Sequence, residues 1–163
     1  MNAQDIEALN ETLQQLSPRE ILAKLLPTLG RTALSFSGAE DVLLIDHFVK
    51  VKKLAEQRGA GNEIDLHAFT LDTGRLPAAT HRFLERVRAH YSLELDVLMP
   101  NADAVNSLVR EKGLFSFYED GHQECCGIRK VEPLKRKLAH VDAWITGQRK
   151  DQSLDTRQDI PEV

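Results

Sequence analysis

Four short apolar runs alternate with stretches of helical periodicity, and no other feature of the sequence restricts the fold as tightly. The runs are TALSF (32–36), EIDLHAFTL (63–71), LELDVLM (93–99) and DAWIT (142–146). Their length and composition predict buried strands. Helices are predicted over 40–59, 76–92, 101–112 and 130–140, after two amphipathic helices over 3–16 and 18–26. In the first of the four, Val42, Leu43, Ile45, Phe48, Val49 and Leu54 recur on one face, and Gly59 supplies the stop. Pro18 and Pro77 fall in first turns, where a missing N–H costs little. Strand–helix alternation implies right-handed crossovers and an α/β fold: a mostly parallel sheet flanked by helices. The chain has 163 residues, 42% of them hydrophobic, enough for one core and short for two. We expect a single domain, with residues 1–30 as N-terminal helices and 31–163 as the α/β core.

The net charge of −4 does not advertise a nucleic-acid surface. No apolar stretch approaches the ~20 residues that cross a bilayer. The start, MNAQDIEALNETLQQL, lacks the basic and apolar parts of a secretory signal. The expected location is cytoplasmic and reducing, with no nucleic-acid or membrane partner. The oligomeric state, homo-oligomer included, is left open.

On parallel sheets, ligands bind outside the carboxyl ends of the strands, near the point where strand order reverses. Three turns fall there: SFSGAED, LDTGR and TGQRKDQS. In the first, Ser35 and Ser37 offer hydroxyls, Gly38 allows close approach, and the following helix presents N–H groups and its positive dipole end. The bland alternative is that Ser37 caps the helix and Gly38 supplies a turn. Glu40 and Asp41 lie in the first helical turn, where carboxylates suit the dipole. Asp41 is expected to point at loop N–H groups and stiffen the loop. Cations would come from Arg129, Lys130, Arg149, Lys150 and Arg157, at a helix start or in a loop after a strand. Lys135, Arg136 and Lys137 read as a solvated helix face. Asp72 suits a ribose hydroxyl or an adenine amino group. A cap on the next helix, shared with Thr73, is the favoured reading.

The two cysteines, Cys125 and Cys126, are adjacent. Neighbouring Cα atoms lie ~3.8 Å apart, whereas disulfides prefer roughly 4.4–6.8 Å. Free structural thiols, ligands or a nucleophile remain as readings. Adjacent residues diverge by ~100° on a helix, which suits different irons of an iron–sulfur cluster better than one zinc ion. Trp144 reads as core. His67 reads as a packed or half-exposed strand residue, His81, His90, His122 and His140 show no metal-ligand spacing, and Glu63/Asp65 and Glu94/Asp96 read as edge or solvent faces.

Taken together, SFSGAEDVLLID, FTLDTGRL, ECCGIRKVEPLKRKL and WITGQRKDQSLDTR resemble the assimilatory adenylyl-sulfate reductases, the iron–sulfur type within the phosphoadenylyl-sulfate reductase family. The resemblance runs from Thr32 to the last residue. It implies an adenine-nucleotide α-hydrolase type of fold and thioredoxin-dependent reduction of adenosine 5′-phosphosulfate to sulfite and AMP in sulfate assimilation. Ser35, Phe36, Ser37, Gly38 and Asp41 match the family's phosphate loop. Leu71, Asp72, Thr73 and Gly74 match its second nucleotide turn. Cys125 and Cys126 match two ligands of a [4Fe–4S] cluster, and Lys130 the lysine between cluster and substrate. Arg129 adjoins it. Gln148, Arg149, Lys150 and Arg157 fall in an arginine-rich loop. In the family a cysteine on a C-terminal tail attacks the sulfate sulfur, AMP leaves, and thioredoxin releases sulfite from the enzyme S-sulfonate.

The family's second cysteine pair and its Glu-Cys-Gly-Leu-His tail are absent from the 163 residues. The expectation is therefore a C-terminally truncated chain, a substrate-binding part without the nucleophile and inactive alone. Rival readings are a reductase of the 3′-phosphorylated nucleotide, an ATP-pyrophosphatase, and a non-catalytic nucleotide-binding module. Against the pyrophosphatase's Ser-Gly-Gly-Lys-Asp-Ser, this chain has Ser37-Gly38-Ala39-Glu40-Asp41-Val42, losing the lysine and last serine.

Overall fold

The computed structural model describes residues 3–60, 64–119 and 121–148. Two helices lead, α1 (Ala3–Leu13) and α2 (Pro18–Leu25). The second starts with a capping box: Ser17 and Glu20 satisfy each other's backbone N–H groups, and Pro18 follows the cap. Then come β1 (Thr32–Ser35), α3 (Val42–Gln57), β2 (Leu66–Leu71), α4 (Ala78–Tyr91), β3 (Leu95–Leu98) and α5 (Ala102–Lys112). Two single-turn helices, α6 (Ser116–Glu119) and α7 (Gln123–Cys126), lead through a π-helical turn at Gly127–Val131 into α8 (Glu132–Leu138) and β4 (Ala143–Ile145).

The sheet is parallel throughout, with strand order β3-β2-β1-β4. The chain steps outward from β1 through β2 to β3, then returns to place β4 on the other side of β1. Strand order therefore reverses between β1 and β4, the place where such sheets bind ligands. Leu34 and Ala68 pack on one face with Leu22 and Leu26 beside α2–α3, Ile45, Phe48 and Val51 of α3, and Leu84 and Val87 of α4. Ala33 and Phe69, one residue out of phase, are buried on the opposite face. Burial on both faces explains why β1 and β2 read as continuous apolar runs.

Three expectations need correction. Trp144 is not core: β4 is an edge strand and the indole is 39% exposed. Arg136 and Lys137 are not merely solvated. Lys137 Nζ pairs with Asp96 at 2.7 Å, and Arg136 donates to the Met99 carbonyl at 2.8 Å, so both tie α8 to the β3 edge. Asp72 and Thr73 do not cap α4, whose cap position is Pro77. Among the described residues, no helix is long and apolar enough to cross a membrane.

Candidate functional site

A crevice of about 670 Å³ opens at the reversal point. Its walls are residues 35–41 at and after the end of β1, residues 69–71 of β2 with Thr73, Leu76 and Thr80 beyond it, Lys130 and Leu134, and Trp144 of β4 with residues 146–148 after it. Ligand pockets typically span ~300–1,000 Å³, so a mononucleotide fits. Ser35, Phe36, Ser37, Gly38, Asp41, Leu71, Thr73, Lys130 and Gln148 thus meet around one space. Asp72, Gly74 and Arg129 do not line it. Arg149, Lys150 and Arg157 lie outside the described residues.

The loop after β1 differs from the open cradle of donors expected. Asp41 is buried, and its Oδ2 accepts bonds from Ser37 N at 2.7 Å, Ser37 Oγ at 2.7 Å and Gly38 N at 3.2 Å. Ser35 Oγ donates to the Ile145 carbonyl at 3.3 Å, binding β1 to β4. Asp41 does stiffen the loop. In doing so it occupies the donors a ligand anion was expected to use. Gly38 is extended (φ −164°), a conformation any residue adopts, and the space beside its Cα is open.

The turn after β2 is likewise held from within. Asp72 is buried; its Oδ1 accepts from Gly74 N at 2.8 Å and its Oδ2 meets His81 Nε2 at 2.9 Å. The His81 hydrogen bond, seconded by the one from Gly74, holds the Asp72 carboxyl below the usual carboxylate range against the opposing pull of burial. Gly74 sits at φ +71°, the left-handed region that favours glycine.

A second cavity, of about 340 Å³, adjoins the first. Cys125 and Cys126 both line it, together with Thr73, Arg75, Phe115, Phe117, Tyr118, Arg129 and Lys130. Thr73 and Lys130 border both spaces. Cys125 is buried and Cys126 half-buried. Arg129, 9% exposed, donates from Nη1 to the Thr73 carbonyl at 2.7 Å, while its buried Nε has no partner. A Cβ on Gly74 would lie 3.3 Å from Arg129 Nη1. Arg75 donates to the Leu114 carbonyl, and Lys112 pairs with Glu124 at 2.7 Å, linking α5 to α7. The π turn that carries Arg129 and Lys130 is of a kind found often at functional sites.

The sequence pattern pointed to the cysteines and to Lys130. It missed Arg75 and the aromatic wall of Phe115, Phe117 and Tyr118. The run Leu114–Tyr118 after the Gly113 stop, ending seven positions before Cys125, was the available signal.

Two soft thiols line the cavity beside three cations (Arg75, Arg129, Lys130), Thr73 and the three aromatic residues, and no carboxylate does among the described residues. The orphaned Arg129 Nε–H adds an unused donor. Thiolate ligation of an anionic iron–sulfur group suits this chemistry. A [4Fe–4S] cluster takes four thiolates, and this sequence has two. Among the described residues no three His, Cys, Asp or Glu side chains group as a metal site.

A Pseudomonas aeruginosa protein named adenosine 5′-phosphosulfate reductase is 50% identical over 157 residues, 96% of this chain and 55% of its own length. The Arabidopsis thaliana protein named 5′-adenylylsulfate reductase 3, chloroplastic, is 49% identical over 164 residues, 100% of this chain and 33% of that protein. The chain spans about half the length of the bacterial relative and a third of the plant one. The crystal structure of a phosphoadenylyl-sulfate reductase from Candida auris, a phosphate complex, superposes with a TM-score of 0.74 over 96% of this chain and 76% of its own, at 23% identity. That likeness establishes the fold. Residues 31–163 match the phosphoadenosine phosphosulfate reductase domain, and the chain belongs to that family.

Proposed function

We propose that this chain carries the nucleotide-binding part of an adenylyl-sulfate reductase. Its crevice takes adenosine 5′-phosphosulfate and releases AMP, in the reductive assimilation of sulfate that feeds cysteine synthesis. One observation carries the reading: the crevice and the two-cysteine cavity share a wall made of Thr73 and Lys130. A nucleotide in the first space would have its anionic end beside the group held in the second. The relatives at about half identity are named for the nucleotide without a 3′-phosphate, which favours that substrate.

Each residue has a stated part. Asp41 fixes the loop after β1, and Ser35 ties that strand to β4. Phe36, Leu71 and Trp144 supply apolar surface for the base. Lys130 offsets charge at the sulfate, which would otherwise repel an incoming thiolate. Arg149, Lys150 and Arg157 are proposed to add to that charge. Cys125 and Cys126 would hold two irons of a [4Fe–4S] cluster. When bound, the cluster fixes the segments that ligate it and adds its field at the shared wall. The attacking cysteine and the remaining thiolates are not in this sequence, and thioredoxin is the proposed reductant of the complete protein. Keeping two ligand thiols reduced suits a reducing compartment, the cytoplasm in our reading.

Isothermal titration of the 163-residue chain with AMP tests this directly. Saturable binding at micromolar to millimolar AMP, weakened when Trp144 or Lys130 is replaced, is the expected result. A folded chain with no heat of binding, or AMP protecting residues away from the crevice, would overturn it. Anaerobic iron and sulfide loading of the chain, alone and joined to a family-like C-terminal segment, tests the cluster. No iron in the extended chain would refute the assignment of Cys125 and Cys126.

A further inference from the structure

Asp41 touches both loops that frame the crevice. Its Oδ2 is occupied by Ser37 N, Ser37 Oγ and Gly38 N, on the β1 side. Its Oδ1 lies against Gly147, on the β4 side: a Cβ placed on Gly147 would overlap Oδ1, stand 3.3 Å from Cγ and meet Leu44 Cδ1 at 3.5 Å. A carboxylate accepts on both oxygens and donates nothing. It can therefore hold three donors with one oxygen while the other rests on a backbone that has no side chain. The pairing of β1 with β4 ends in register at Leu34↔Ile145. Beyond that point the strands no longer set the distance between the two loops, and the Asp41–Gly147 contact is next in line.

We propose that Asp41 is a positioning residue: its contact with Gly147 sets the spacing of the loops after β1 and β4, and through it the nucleotide affinity of the crevice. This rests on the nucleotide reading above. It differs from the simpler idea that Asp41 faces the ligand and repels phosphate. On that idea removing the carboxylate tightens AMP; on ours it loosens AMP, because the loop loses its anchor.

The opposite end of the same strand pair supplies a control. A Cβ on Gly30 would overlap Asp142 Oδ2, which also accepts from Arg31 N at 2.8 Å. The steric insult matches, but neither residue lines the crevice.

The experiment is a double-mutant cycle on the 163-residue chain with Asp41→Ala, Gly147→Ala, both together, and Gly30→Ala. AMP affinity is read by calorimetry, and the unfolding midpoint is read for every variant. Gly147→Ala should weaken AMP about tenfold in the native background and less than about threefold beside Asp41→Ala, because coupled neighbours are not additive. Gly30→Ala should lower the midpoint and leave AMP affinity within about threefold, since distant sites are independent. Equal losses from Gly147→Ala in both backgrounds, or tighter AMP binding by Asp41→Ala, would overturn the proposal. If Asp41→Ala does not fold, Asp41→Ser, shorter and still an acceptor, takes its place in the cycle. If the native chain takes up no AMP, the nucleotide reading fails by itself. The spacing claim is then decided by the midpoints, where an equal Gly147→Ala penalty in both backgrounds refutes it and a reduced one upholds it.

Discussion

Replacing Arg129 by Met separates a structural arginine from one poised for a ligand. The side chain is 9% exposed, makes a 2.7 Å hydrogen bond from Nη1 to the Thr73 carbonyl, and leaves a buried Nε–H without a partner. Met keeps most of the aliphatic packing. Losing a charged hydrogen bond costs about 1.5–3 kcal/mol, and removing an unsatisfied buried donor returns about 1–3 kcal/mol. The two nearly cancel, so the variant should unfold within about 1.5 kcal/mol of the native chain. At roughly 2–4 °C per kcal/mol for a chain of this size, the midpoint moves by less than about 6 °C. A fully satisfied buried charge behaves differently, because disrupting such a pair costs about 3–5 kcal/mol. Urea unfolding at pH 7 under reducing conditions makes the measurement. AMP affinity should stay within about threefold, since Arg129 lines the cysteine cavity and not the crevice. A loss above about 3 kcal/mol would show that Arg129 is a structural anchor and that its unpartnered nitrogen means nothing.

Other consequences are as direct. Gly74→Ala forces a side chain to φ +71° and sets its Cβ 3.3 Å from Arg129 Nη1; a loss of about 2 kcal/mol in urea unfolding is expected, the left-handed conformation alone costing ~1–2. Asp72 has a depressed folded-state pKa, so its pairing with His81 contributes stability that is present above the unfolded value of about 3.9 and is lost as pH falls through the lower folded value. Asp72→Asn should therefore flatten the acid limb of a plot of midpoint against pH between about 5 and 2, and an unchanged limb counts against the pairing. Arg75→Ala releases the Leu114 carbonyl and with it the aromatic wall; iodoacetamide should then modify Cys126 about fivefold faster, as local opening predicts.

Much of the fold was legible because two periods and a few punctuating residues dominate it. The run TALSF became β1, and Val42–Gln57 formed the predicted helix with Ile45, Phe48 and Val51 inward. Strand ends ran long at 63–71 and 93–99, since flanking residues such as Glu94 continue the alternation without a partner in the register. Residues 113–129 were not legible. Their single-turn helices have no period to detect and are held by bonds from afar, Arg129 to Thr73 across 56 positions and Arg75 to Leu114 across 39. Asp41's role was readable because its partners lie within four residues. Its contact with Gly147 was not, because only the β1–β4 pairing brings the two together. Trp144 was misplaced for a related reason: an apolar run does not reveal which strand stands at the edge.

Charge around the crevice yields one more test. The loop after β1 contributes Glu40 and Asp41, and Lys130 is the one cationic side chain among the described residues lining the space. With the loop donors held by Asp41, attraction for a phosphate falls to Lys130 and to the dipole of α3, whose N-terminus follows that loop. Lys130 is exposed, so a high effective dielectric applies. A unit charge near 4 Å then contributes about 1–2 kcal/mol, between the aqueous limit and a protein-surface value. Lys130→Ala should weaken AMP by about tenfold and leave adenosine, which carries no phosphate, unchanged. Raising the salt from about 0.05 to 0.5 M should erode the difference, because screening at these concentrations acts within roughly 4–14 Å. An equal loss for AMP and adenosine would mean that Lys130 shapes the wall and does not meet the charge, and the shared wall would then no longer mark the anionic end of the nucleotide.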